Sequence, residues 1–261
     1  MIGLKEFFLE DPFDGFQPVF SGISPKLKVE LKNTRLQEHS AIEKYLGLAD
    51  RYYDVYKDGK LLNQNSDLAI GDVLTFKFND NGINELHKNA YKPTRLDSEY
   101  TITTSDAASF IVSSDELQDV FFEEIQEQAE SIIKAFLADR RITKPYEYEG
   151  MYFLTPKAHG WQQVGWGSYY RPKMYLVYSY IETDNLTDTV TTKYKAVRVT
   201  NFINEKLDDT AAETGEAITP NQTVNYSNIE LVGTNYNNLD SLFLDLVESE
   251  VEFYTYENLI D

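Results

Sequence analysis

Residues 113–141 read SSDELQDVFFEEIQEQAESIIKAFLADRR, and this stretch decides the fold. Ser113 followed by Glu116 is a capping-box pattern, the usual opening of a helix. Leu117, Val120, Phe121, Ile125, Ile132, Ile133, Phe136 and Leu137 then recur at three- and four-residue intervals to about Arg141. That spacing lines one helical face with apolar side chains, which need a sheet or another helix to cover them. Asp115, Glu116, Asp119, Glu123 and Glu124 crowd the start, while Arg140 and Arg141 stand at the end. Both groups agree with the helix dipole.

Downstream, alternating Tyr, Val and Thr predict strands over 146–154, 173–181, 191–202 and 224–232. The acidic, small-residue-rich run 205–216 reads as a mobile hairpin loop between the last two. Leu239, Leu242, Phe243, Leu246 and Val247 mark a short helix capped near Asn238. A long helix packed on a four-strand antiparallel meander is the element order of cystatin-like and NTF2-like folds. Order alone sets no function.

The N-terminal part has a different texture. Leu27, Val29 and Leu31 alternate with Lys28, Glu30 and Lys32, one apolar face against one charged face. Tyr52, Tyr53, Val55 and Tyr56 lead into Asp58-Gly59, a strong hairpin signal. The run from Val73 to Phe78 is another strand, as is 100–104, and 36–46 reads as a short helix. The expected organisation is therefore α+β: a small β-sandwich of immunoglobulin-like size over 12–80, then a cystatin- or NTF2-like α+β domain over 98–257.

Composition narrows the chemistry. Forty-three acidic against 24 basic residues give a net charge of −19. Such a chain lacks the cations that grip phosphates or an anionic membrane, so neither nucleic acid nor a lipid surface is an expected partner. With no cysteine, a thiol nucleophile, a disulfide framework and an iron–sulfur cluster are excluded for these residues. No run approaches the length of a membrane span. The start, Met1 to Glu10, is broken by charge and does not read as a signal peptide.

The polar motifs are weak. His39, His87 and His159 stand in no zinc-binding or nucleophile-elbow pattern and read as surface or loop histidines. Asn79-Asp80-Asn81-Gly82 invites a calcium reading, but alignment on the glycine puts Lys77 and Lys88 at ligand positions, where ammonium cannot coordinate. A β-turn is the expectation there. Glu123-Glu124 and Asp208-Asp209 read as solvated faces. There is no glycine-rich phosphate loop. No catalytic residue, metal or cofactor is expected.

One segment stands apart. Residues 159–171, HGWQQVGWGSYYR, hold both tryptophans, two tyrosines and three glycines between two strands. Trp161, Trp166, Tyr169, Tyr170 and Arg171 are the candidate ligand-binding residues, since aromatic rings and Arg dominate binding hot spots. The competing reading folds Trp161 and Trp166 back as a lid over one end of the sheet. Burial of at least one tryptophan is expected, because exposed tryptophan pairs are uncommon.

Pro12-Phe13-Asp14 leading into Val19–Leu31, with Tyr152–Lys157, Tyr175–Tyr178 and Leu239–Phe243, resembles the extracytoplasmic region of a family of Gram-positive membrane proteins. Those proteins have a cytoplasmic zinc-ribbon head and a single membrane span, and are similar to the teicoplanin-resistance-associated membrane protein group. The ribbon cysteines and the span are absent from this sequence. The resemblance implies a membrane-anchored ectodomain at the cell envelope, a non-enzymatic binding or sensing module whose partner is a protein or a cell-wall glycan. The rival expectation is a carboxylate-based hydrolase of wall polymers, because only carboxylates are abundant enough to supply such chemistry.

Overall fold

The computed structural model describes residues 7–35, 51–63, 66–140, 142, 145–161, 170–183, 187–207 and 219–260. The helix expected over 36–46 and the acidic loop from 208 onward lie outside the described residues. The chain is mixed α+β with several antiparallel sheets. It divides into two compact units, one of residues 1–109 with 206–218, the other of 110–205 with 219–261.

In the first unit, β1 (Phe16–Ser21) and β2 (Lys28–Asn33) form an antiparallel pair. Lys28, Glu30 and Lys32 of β2 point to solvent while Leu31 and Asn33 are buried, as the alternation requires. A four-stranded antiparallel sheet is built from β3 (Tyr53–Lys57), β4 (Lys60–Leu61), β5 (Val73–Phe78) and β6 (Asp97–Thr101), in the order β4-β3-β5-β6. Asp58 and Gly59 connect β3 to β4 with φ of 52° and 73°. That is the left-handed pair of a type I′ turn, which matches the twist of its strands. Phe16 brings its ring 4.9 Å from both Tyr53 and Phe76, so the pair and the sheet share a core. Inside it, the Asn33 amide donates to the Pro12 carbonyl at 2.8 Å and to the Tyr53 hydroxyl at 2.7 Å.

Two expectations shift here. The strand placed over 100–104 is β6 and ends at Thr101. The Asn79–Gly82 run is not a β-turn but the start of α1 (Asp80–Lys88), with the Asn79 side chain accepting from the Gly82 N–H at 3.2 Å. An asparagine that accepts from a later backbone N–H begins a turn and caps a helix alike. Leu86, buried on the inner face of α1, makes it a helix.

The second unit centres on a five-stranded antiparallel sheet. Its strands are β7 (Tyr146–Pro156), β8 (Lys173–Thr183), β9 (Val190–Thr200), β10 (Ile229–Tyr236) and β11 (Tyr254–Ile260), in the order β10-β9-β8-β7-β11. The helix α2 (Asp119–Asp139) lies on one face. It buries Phe121, Ile125, Ala129, Ile133 and Leu137 against Phe153, Met174, Leu176 and Val197. Ile132 and Phe136 flank this seam half-buried, and Val120 is exposed. The other face carries Tyr152, Tyr175, Val177 and Ala196 against Leu242 of α3 (Leu239–Leu246) and Val247. As expected, Asn238 caps α3, accepting from the Ser241 N–H at 2.8 Å.

The capping box at Ser113 does not open α2. Ser113 caps a single 3-10 turn, Ser114–Glu116, and Leu117 turns extended at ψ 127°. The helix starts afresh at Asp119 behind Gln118, which makes no side-chain cap. Gln118 is instead held by Gln222 and the Pro220 carbonyl, at 2.9 and 2.7 Å.

Candidate functional site

The aromatic segment leaves β7 through Lys157 and His159 and returns at Tyr170 just before β8. Its base is pinned by backbone. The Lys157 N–H donates to the Phe253 carbonyl at 2.8 Å, and the Tyr170 N–H donates to the Gly160 carbonyl at 3.1 Å. Between these anchors, Trp161 is half-buried with its ring 5.7 Å from Phe110. Tyr170 stacks on Phe253 at 4.5 Å and meets Tyr254 edge-on at 5.5 Å. These separations are those of favourable ring pairs. Arg171 is exposed and donates to the Asn201 side chain. Its carbonyl accepts from the Tyr254 hydroxyl at 3.1 Å. Trp166 and Tyr169 lie outside the described residues. Of the five candidates, therefore, Tyr170 and Arg171 are brought together, and Trp161 packs on Phe110.

Several members of this surface were not anticipated from sequence. Phe253 and Tyr254 form its floor, and His159 borders it, its ring 5.7 Å from Phe253 and its Nε2 2.8 Å from the Glu252 carbonyl. The signal in the sequence is the run Phe253-Tyr254-Thr255-Tyr256, a dense aromatic alternation near the C-terminal end. Beneath the rings, Lys173 sits 4.3 Å over Tyr254 and pairs with Glu250 at 2.5 Å. Burial holds the Lys173 ammonium below the usual lysine range, and Glu250 works against that. Burial, and then the charge of Glu250, raise the Tyr254 phenol. Next along the sheet, Arg198 pairs with Glu230 and lies beside Tyr175; burial opposes its charge, but Glu230 outweighs it and the pKa is raised. Lys173 and Arg198 thus each have a carboxylate. What remains is a ring-faced surface with polar edges, able to take the flat apolar side of a sugar or of an aromatic side chain.

A second cluster lies on the helix side of the same sheet. The Ser114 N–H donates to Glu257 at 3.3 Å, and its hydroxyl donates to the same carboxylate. Glu116 stands beside it, with the Asn204 amide 3.5 Å from its carboxylate and the Gln222 amide donating to its backbone carbonyl at 2.6 Å. Burial raises the Glu116 pKa, and the neighbouring Glu257 raises it further against hydrogen bonds from Val112 and Asn204.

Among the described residues no group of His, Asp and Glu is arranged to hold a metal ion, and no helix is long and apolar enough to cross a membrane. No family model, curated protein or solved structure matches the chain.

Proposed function

We propose that the chain is a non-catalytic binding or sensing module, the extracytoplasmic part of a membrane-anchored cell-envelope protein, with a protein or a wall glycan as ligand. In this reading the first unit is a small β-sandwich and the second a cystatin- or NTF2-like domain, with α2 laid across the strands that follow it. The observation that carries the binding role is the ring pair of Tyr170 and Phe253, edged by Arg171 and His159, with Trp161 on Phe110 at the base of the same segment. The filled seam between α2 and the sheet supports it too, because recognition then falls to the surface. Purified Gram-positive wall material tests the reading by co-sedimentation. Replacing Trp161 and Arg171 together by Ala should weaken binding about thirtyfold, each ring or cation contact being worth roughly 1 kcal/mol. Arg171→Ala alone, at an exposed position, should weaken binding without moving the melting temperature. Unchanged sedimentation of both folded variants would overturn the proposal.

One observation favours the rival reading of a wall-polymer hydrolase: Glu116, raised toward the protonated form, beside Glu257. An acid and a carboxylate are what glycoside hydrolysis uses. That reading stands second because both oxygens of Glu257 face donors of Ser114, at 3.3 and 3.4 Å from its N–H. Reducing-end release from wall polymers that disappears in Glu116→Gln would promote it. Absence of release by the unsubstituted chain would sink it.

A further inference from the structure

The five-stranded sheet has two outer edges, and they are built differently. Along β10 the register against β9 shifts between Tyr194 and Ala196. Gly233 in β10 sits at φ +69°, where the Tyr236 ring leaves no room for a Cβ. A bulge of this kind twists an edge away from further pairing. By contrast, β11 runs in unbroken register with β7 over seven pairs, from Gly150 opposite Ile260 to Pro156 opposite Tyr254. It carries no lysine, arginine or proline, and its one charged side chain is Glu257.

One hydrogen bond sets the phase of this ladder. The Phe253 carbonyl accepts from the Lys157 N–H at 2.8 Å, so the bonded pairs continue at Thr255, Glu257 and Leu259. Pro156, which has no N–H, stands opposite Tyr254 and agrees with that phase. Tyr256 and Asn258 therefore turn their N–H and C=O groups outward. Ile260 also does so, and its N–H is returned to the Asn258 side chain at 3.2 Å. Thr255, Tyr256, Asn258 and Leu259 are all exposed, and the apolar pair Tyr256 and Leu259 each keep 43% of their surface. They stand on opposite faces of the strand.

The flank of this edge is acidic. Glu116 on the turn before α2 and Glu257 on the strand lie together, Asp115 precedes Glu116 in that turn, and among the described residues none of the three has a salt-bridge partner. A cation brought to this corner would relieve the crowding of two carboxylates. A second copy of a chain with net charge −19 would add to it.

We propose that the outer edge of β11, which pairs with no other strand among the described residues, is a strand-addition site for an extended basic segment of a protein partner. The outward N–H and C=O groups of Tyr256 and Asn258 supply the ladder. Tyr256 and Leu259 meet the partner's apolar side chains, and Glu116 with Glu257 receives a lysine or arginine. Backbone bonds give such a site its affinity and alternate side chains its selectivity.

The test uses the whole chain and two short fluorescent peptides, one alternating lysine with valine and one alternating glutamate with valine, at physiological ionic strength. The basic peptide should bind saturably and at least about tenfold more tightly than the acidic one. Asn258→Pro removes an outward donor and leaves the bonds to β7 in place, so it should cost about tenfold or more in affinity. In the unsubstituted chain, the Tyr256 and Asn258 amides should exchange more slowly with solvent once the basic peptide is bound. Equal affinity for the two peptides, or full affinity in a folded Asn258→Pro, would overturn the proposal. So would self-association that this substitution abolishes, since the edge would then serve a second copy. If Asn258→Pro fails to fold, amide exchange decides alone, and unchanged rates at Tyr256 and Asn258 overturn it.

Discussion

At the scale of single residues, the two phenols under α2 are informative. Tyr178 and Tyr180 are buried on β8, and among the described residues neither hydroxyl has a hydrogen-bond partner. Burial, then the nearby phenol of Tyr148 and carboxylate of Glu130, raise the Tyr178 pKa, so this hydroxyl stays protonated. Tyr146 shows the alternative, its hydroxyl 3.0 Å from a Glu130 oxygen. A buried polar group left unpaired costs about 1–3 kcal/mol, whereas its ring packs as well as phenylalanine. Tyr178→Phe should therefore be neutral or stabilising by about 1 kcal/mol in urea unfolding. Tyr53→Phe, which strips a partner from buried Asn33, should destabilise. A loss of stability in Tyr178→Phe would show that its hydroxyl is bonded after all.

At the scale of elements, α2 is the member whose energetics are clearest. Phe121 is buried in the cluster that holds Phe153, while Val120, one residue earlier, is 69% exposed. Phe121→Ala should cost roughly 3–5 kcal/mol through lost burial and the cavity left behind. Val120→Ala should stay within about 0.5 kcal/mol, as surface changes usually do, and Phe136→Ala should fall between the two. Urea midpoints check the order. The helix body and the first three strands of the sheet were legible because their apolar periods are long and local. The fourth, expected over 224–232, starts only at Ile229, because Asn225 caps a 3-10 turn at Tyr226–Asn228, and it runs on to Tyr236. β11 was not legible, because its short run Tyr254–Ile260 joins β7 from across about a hundred residues, and nothing local specifies that partner. The ring surface was legible in part for the same reason: Tyr170 is conspicuous in sequence, but Phe253 and Tyr254 reach it only through β11. The start of α1 was misread because the hydrogen bond Asn79 makes is common to turns and caps, and only Leu86 four residues past Gly82 separates them.

At the scale of the whole molecule, each unit has its own core among the described residues. Leu27, Leu68, Leu74, Phe76 and Phe78 belong to a cluster confined to the first unit, and the clusters on the two faces of the five-stranded sheet belong to the second. A chain with separate cores need not unfold as one cooperative step. Gly82 offers a way to perturb the first core alone. It lies in the first turn of α1, where a Cβ would come within 2.4 Å of the buried Phe78 ring. Alanine would gain about 1 kcal/mol of helix propensity. Forcing a methyl into a filled space costs about 1–3 kcal/mol, so Gly82→Ala should destabilise on balance. Both tryptophans, Trp161 and Trp166, belong to the second unit by sequence, so their fluorescence serves as the probe of that unit. Far-ultraviolet circular dichroism sees both units. The expected outcome is that Gly82→Ala advances part of the dichroism transition in urea and leaves the tryptophan midpoint where it was. Phe121→Ala should do the reverse, moving the tryptophan midpoint strongly. If both probes shift together in both variants, the two units unfold as one, and a substitution in either core is felt by the whole chain.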